Sequence, residues 1–214
     1  MKYYLLLCLF LGISSAFSGI DVSTWQGSIA WSSVAKNHHF AIIRAGYGIG
    51  HTDDHFETNY ANAKAAGVRV GAYWYSYASS ESDAVQEANS IMSLLAGKQF
   101  EWPIYYDIEE KSIFSAGIAS AIAKAFCRTL EANKFYCGIY SSASSLNSYF
   151  DDEVKTAFTI WVAHWDVDVP SYQGAYAVWQ YHVGYTEGVD GQVDLDHGYI
   201  DFEPIMKEKG LNGY

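Results

Sequence analysis

Basic residues are scarce in this chain. It carries 13 Lys and Arg against 24 Asp and Glu over 214 residues, a formal net charge of −11 at pH 7. Nucleic acid and anionic membrane surfaces do not attract such a protein, so neither is expected as a partner. Near about pH 4–5 carboxylates gain protons and histidines become cationic, and seven histidines are present. An acidic phagosomal, lysosomal or digestive lumen therefore suits the composition, as does secretion.

Long apolar runs are missing everywhere except at the start, MKYYLLLCLFLGISSAF. A spanning helix needs about 20 apolar residues, and this run is shorter. Its lone Lys2, apolar stretch and small residues at Ser14, Ala16 and Ser18 predict a signal peptide over 1–18, cleaved after Ala16 or Ser18. Cysteine is rare too, with three in all. Cleavage removes Cys8 and Lys2, taking the charge from −11 to −12 and leaving Cys127 and Cys137. In an oxidising compartment these two are expected to pair, two buried free thiols being the alternative. Repeats, low-complexity segments and linkers are absent, so residues 19–214 read as one domain. Half of the residues are hydrophobic, enough for one well-buried core.

What is present alternates between strand and helix. Gly19–Val22 reads as a strand with Asp21 near its carboxyl end, followed by a helical AWSSVAK. FAIIRAGYG, residues 40–48, is apolar enough for a buried strand, yet holds Arg44, which needs a carboxylate or a ligand. Asp53 and Asp54 read as the start of a helix that Gly67 stops, and VRVGAYWYSY as the third strand. Ser80 three residues before Asp83 predicts a capped helix with Ala84, Ala88, Ile91 and Leu95 on its packing face and Gly97 at its end. The fourth strand carries YYDIEE, a helix spans about Ser115–Asn133, and CGIYSS is the fifth strand. AFTIWVAHW, GAYAVWQYH and GQVDLDHGY then read as strands joined by loops or short helices, with FEPIMKEK as a closing helix. The pattern predicts an α/β fold: an irregular, flattened (β/α) barrel of about eight strands with helices mainly after the first five.

In YYDIEE, side chains alternate faces, so Asp107 and Glu109 point the same way, about 6–7 Å apart at their backbones. Like charges that close raise at least one pKa, which keeps a carboxylic acid protonated for general acid chemistry. Glu110 reads as facing away and structural. Barrel topology gathers strand ends at one face, bringing Asp21, Asp107, Glu109 and Asp194 together. Tyr47, Tyr73, Tyr75, Tyr140, Trp161, Trp179 and Tyr181 fall on or near the same edges. Carboxylates among flat rings suit a sugar site, where one acid protonates the glycosidic oxygen.

GIDVSTWQG, FAIIRAGYG, AKAAGVRVGAY, YYDIE, GIYSS, WVAHW, VWQY and VDLD, in that order, resemble the successive motifs of family 25 glycoside hydrolases, the N,O-diacetylmuramidase type of lysozyme. The resemblance covers essentially everything after the signal peptide. It implies a flattened barrel that cleaves the β-1,4 bond between N-acetylmuramic acid and N-acetylglucosamine in peptidoglycan. It also implies Glu109 as general acid, Asp107 as the group orienting the substrate's acetamido, and Asp21 and Asp194 as supporting acids. Arg44, Trp161 and Trp179 match positions near the family's cleft. The chain departs from the family in having Asp196 where Asn is common, and His164 and Trp165 where a tyrosine often follows WVA.

Strand spacing alone leaves retention and inversion open; the resemblance favours net retention assisted by the substrate acetamido group. A chitinase-like hydrolase would need an acid where Tyr105 stands, and a catalytically silent carbohydrate-binding protein would have lost one of the four acids. A hydrolytic metal site could use the same carboxylates, but no HExxH or histidine pair accompanies them. No cofactor or metal is expected, the partner expected is bacterial cell-wall peptidoglycan, and the chain is expected to be a monomer.

Overall fold

The computed structural model describes residues 17–214; of the expected signal peptide, residues 1–16 lie outside the described residues. Phe17 and Ser18 already belong to the first strand, β1 (Phe17–Val22). The chain continues through α1 (Trp31–Val34), β2 (Phe40–Tyr47), the two-residue β3 (His51–Thr52), α2 (Phe56–Ala65), β4 (Arg69–Tyr75) and α3 (Glu81–Leu95). Then come β5 (Ile104–Asp107), α4 (Lys111–Ala116), α5 (Ala119–Ala132), β6 (Cys137–Ser142), α6 (Ala143–Tyr149) and α7 (Asp152–Ala157). β7 (Thr159–Ala163), β8 (Val178–Gly184), β9 (Val193–Gly198) and α8 (Phe202–Lys209) complete it.

The sheet closes. Its hydrogen-bonded order is β1-β9-β8-β7-β6-β5-β4-β2, and β1 pairs back onto β2 to make an eight-stranded ring. From β1 round to β8 neighbours run parallel, whereas β9 is antiparallel to both β8 and β1. β3 is an extra antiparallel ribbon on β2. Parallel neighbours need crossovers, and helices follow each of the first five ring strands, as the alternating pattern predicts. Among the described residues no helix is long and apolar enough to cross a membrane.

Strand alternation sorts side chains into an outer and an inner layer. Outward residues such as Ile43, Val70, Ala72 and Tyr106 pack beneath Ala84, Ala88, Ile91 and Leu95 of α3 and Ile122, Phe126 and Leu130 of α5. Tyr106 stacks on Phe126 with centroids 3.8 Å apart. The lower interior is filled by Phe40, Ile42, Trp102, Tyr105 and Phe202. Phe40 and Trp102 stack at 3.6 Å, and a Cβ at Gly19 or Gly198 would run into these rings, so only glycine lets β1 and β9 close over them.

Several local expectations need adjustment. The helix expected over Ser115–Asn133 is broken: α4 ends at Gly117, which has φ 70°, and α5 restarts at Ala119. α2 begins after His55, not at Asp53 or Asp54. Asp53 instead accepts from Arg44 Nε at 2.7 Å and from the His55 and Thr24 amides, supplying the carboxylate partner that a buried arginine requires. Ser80 caps α3 by accepting from the Asp83 amide, whereas the Asp83 carboxylate turns back to Ser79. Cys127 and Cys137 form a disulfide that ties the C-terminal half of α5 to the start of β6.

Candidate active site

At the carboxyl ends of the parallel strands the interior mixes acids with rings. Tyr75, Asp107, Tyr140 and Trp161 are successive partners across β4, β5, β6 and β7, and all four point inward. Opposite them, Asp21 of β1 pairs directly with Asp194 of β9. Asp196, two residues on, shares that inner face and is completely buried, with Trp161 Nε1 donating to its Oδ1 at 2.8 Å. A cavity of about 160 Å³ is lined by Asp21, Arg44, Tyr73, Tyr75, Asp107, Glu109, Tyr140, Trp161, Gln180 and Asp194.

Burial dominates the electrostatics of this cavity. It pushes the Asp107 carboxyl well above the usual range, Glu109 pushes it further, and Arg44 pulls it back. Glu109 stands solvent-exposed at the mouth, and its carboxyl is also raised, by partial desolvation, then Asp194, then Glu110. Asp21 and Asp196 are raised chiefly by burial, against hydrogen bonds that lower them; burial raises Asp194 as well. The site therefore holds protons at pH values where exposed carboxylates have lost them. Asp107 Oδ1 is buried with no hydrogen-bond partner in the protein. A buried acceptor left open is costly unless a ligand fills it.

A retaining or inverting sugar hydrolase needs a protonated acid at the mouth, a second acid near it and flat walls. The family model of glycosyl hydrolases family 25 matches residues 20–189, from the strand bearing Asp21 to the approach to β9. The chain belongs to this family. It is a glycoside hydrolase with the family's barrel. It is 34% identical to Lysozyme M1 of Streptomyces globisporus, over 85% of this chain and 67% of that one. The bacterial lysozyme of Streptomyces coelicolor superimposes with a TM-score of 0.75 and 32% identity, covering 88% of this chain and 94% of the other. The modular autolysin LytC of Streptococcus pneumoniae, solved with a synthetic peptidoglycan ligand, gives a TM-score of 0.78 and 25% identity, over 88% of this chain and 48% of that protein.

Within this family-25 barrel, Asp21, Asp107, Glu109, Asp194, Arg44, Tyr73, Tyr75, Tyr140 and Trp161 come together as the strand ends predict. Three expected wall residues do not. Trp179 and Tyr181 lie outside the cavity: β8 turns Val178 and Gln180 inward, so Trp179 packs in the outer layer and Tyr181 stacks on His197 at 4.0 Å. Tyr47, at the end of β2, stacks on His51 and does not line the cavity, although it pairs with Tyr75 of β4 and the Arg44 guanidinium lies 5.9 Å from its ring. Glu110 is not turned away from the site either. Its Oε1 accepts from Tyr75 Oη at 2.7 Å, and its charge raises Glu109.

Gln180 is the inward residue that strand-end reasoning passes over. Its Nε2 donates to Asp21 Oδ2 at 2.7 Å, and its Oε1 accepts from Tyr140 Oη at 2.9 Å. Alternation along VWQY, with Val178 inside, was the available signal. Among the described residues no three His, Cys, Asp or Glu side chains group to hold a metal ion.

Proposed function

We propose that this glycoside hydrolase is a secreted lysozyme that cuts the β-1,4 bond between N-acetylmuramic acid and N-acetylglucosamine in bacterial peptidoglycan, with net retention assisted by the substrate acetamido group. The observation that carries this reading is the pair Asp107 and Glu109. One acid stands at the mouth with a raised pKa; the other lies buried behind it, beside Arg44, with an oxygen unpaired. A glycosidic oxygen reaches the first, and an acetamido N–H suits the second.

In the proposed step Glu109 gives its proton to the leaving oxygen as the C1–O bond breaks, and the acetamido carbonyl oxygen bonds to C1 from the other face. Asp107, its charge favoured by Arg44 and by the N–H it accepts, balances the positive charge on the cyclised group. Water then gives a proton to the Glu109 carboxylate and attacks C1, reopening the ring with the original configuration. Asp21 and Asp194, facing each other across β1 and β9, are proposed to support the sugar hydroxyls. Tyr73, Tyr75, Tyr140 and Trp161 are proposed as the sugar-facing walls.

Residues 1–16 are proposed as the signal peptide and the remainder as one catalytic domain. Cleavage after Ala16 rather than Ser18 is favoured, because Phe17 and Ser18 pair with Gly198 and His197. The acidic site and net negative charge suit an acidic lumen or a secreted fluid, with a monomer acting on the cell wall.

Clearing of a Gram-positive wall suspension across about pH 3–8 tests the activity, with Glu109→Gln beside the wild type. Clearing by the wild type alone is expected. Equal clearing by both would remove Glu109 from its role, and wall binding without clearing by either would favour a silent binding protein. Proton NMR of the first-formed anomer should show retention; the inverted anomer would exclude acetamido assistance.

A further inference from the structure

Trp165 is half exposed, at 50% of its surface, yet its indole N–H is engaged inside the cleft, donating to Gln180 Oε1 at 2.9 Å. Tyr140 Oη donates to the same oxygen. The two donors differ in kind. A tyrosine hydroxyl can turn and accept, but an indole N–H only donates. Trp165 therefore favours the amide orientation that aims Gln180 Nε2 at Asp21 Oδ2, and it does so whether or not Asp21 holds a proton.

The segment carrying Trp165 is held at several points. Trp179 Nε1 donates to the His164 carbonyl at 2.8 Å, and the Asp166 amide donates to the Tyr181 carbonyl at 2.9 Å. Asp166 adopts a left-handed φ of 56°, and its carboxylate meets His182 Nδ1 at 2.5 Å. The segment is thus held in place while half of the Trp165 surface stays open to solvent.

We propose that Trp165 is a positioning residue: it fixes the Gln180 amide toward Asp21 while offering its open ring face to a sugar at the cleft mouth. This rests on the glycan-cleaving reading above. If Trp165 is lost, the amide can flip while Asp21 is protonated and accept from its hydroxyl, an orientation that opposes ionisation of Asp21. Asp21 also faces Asp194 and Asp196 from β9, Asp107 from β5 and Tyr73 from β4, so the amide is the neutral donor among groups that are mostly acids.

Trp165→Phe keeps a ring and removes the N–H; Trp165→Ala removes both. Expected for Trp165→Phe is a kcat lower by about threefold to tenfold, the worth of one hydrogen bond, with KM nearly unchanged and a displaced pH profile of kcat/KM. Trp165→Ala should add a raised KM. Wild-type kcat and pH profile in Trp165→Phe would overturn the proposal. A second readout does not depend on activity. The Trp165 indole ¹H–¹⁵N resonance, identified by its absence in Trp165→Phe, should shift with pH in the wild type and lose that shift in Asp21→Asn. An indole resonance indifferent to Asp21 overturns the positioning role even if walls are cleared. Should the wild type cleave no peptidoglycan, the lysozyme reading falls, and the resonance alone decides whether Trp165 governs Asp21.

Discussion

Glu87 and Asp107 are both buried acids, one on each side of β5. Tyr106 reaches outward from that strand to Glu87 on α3, while Asp107, its neighbour, turns into the barrel. Glu87 is fully engaged: it accepts from the Tyr77 amide at 2.9 Å and from Tyr106 Oη at 2.5 Å. Asp107 has an oxygen with no partner. Burial raises the pKa of both, so a raised pKa does not separate structure from chemistry. Their surroundings do. The outer acid completes a network between α3 and β5, whereas the inner one lines the cavity beside Glu109 and Arg44 with an oxygen unpaired.

Substitutions should break the two sides differently. Glu109→Gln, on the inner side, should lower kcat by about 10²–10⁴, the range for loss of a general acid, with little change in melting temperature. Glu87→Ala should do the reverse: leaving the Tyr106 hydroxyl and Tyr77 amide unpaired costs about 1–3 kcal/mol of stability in denaturant titration, with kcat per folded molecule unchanged. If Glu87→Ala abolished turnover without loss of stability, the contrast would be wrong.

Stability should also follow pH in a way set by the inner acids. Asp21, Asp107, Glu109, Asp194 and Asp196 are all raised in the folded state. The folded state thus holds protons that the unfolded chain has released. Their contribution is complete below the ordinary carboxylate range and is lost as pH rises through the folded values. Glu101, lowered by Lys64 and Tyr214 against burial, and His38 and His197, lowered by burial, work in the opposite sense and weaken the protein towards low pH, against the larger number of raised acids. Thermal melts should therefore show greater stability in mild acid than at neutrality, and Asp196→Asn should flatten the decline. A melting temperature rising from mild acid to neutrality would contradict this. The smallest effect is expected at Tyr181, which does not line the cavity: Tyr181→Phe should leave KM within about twofold.

Much of this was legible in the chain. Strand count, barrel closure and the four acids follow from alternating apolar runs and their polar ends. Asp194 and Asp196 sit two apart in VDLD, so a shared inner face was readable as well. What escaped depended on contacts between distant segments. Arg44 finds Asp53 from the helix approach, and Gln180 is oriented by Tyr140 and Trp165 from two other strands' ends. Trp179 and Tyr181 fall outside the cavity because β8 alternates with Val178 and Gln180 inward, and a bulge between Gln180 and His182 then shifts the register. Gly117, inside an otherwise helical pattern, marked the break between α4 and α5.

The division of labour between the two inner acids is tested most directly by changing the leaving group. Wild type, Glu109→Gln and Asp107→Asn would be compared on the natural glycan and on a dinitrophenyl glycoside of a muramic-acid-terminated oligosaccharide, whose leaving group needs no proton. Glu109→Gln should recover most of its deficit on the activated substrate, and Asp107→Asn should recover little. Equal recovery by both, or none by Glu109→Gln, would contradict the assignment of Glu109 as proton donor and Asp107 as its acetamido-orienting partner.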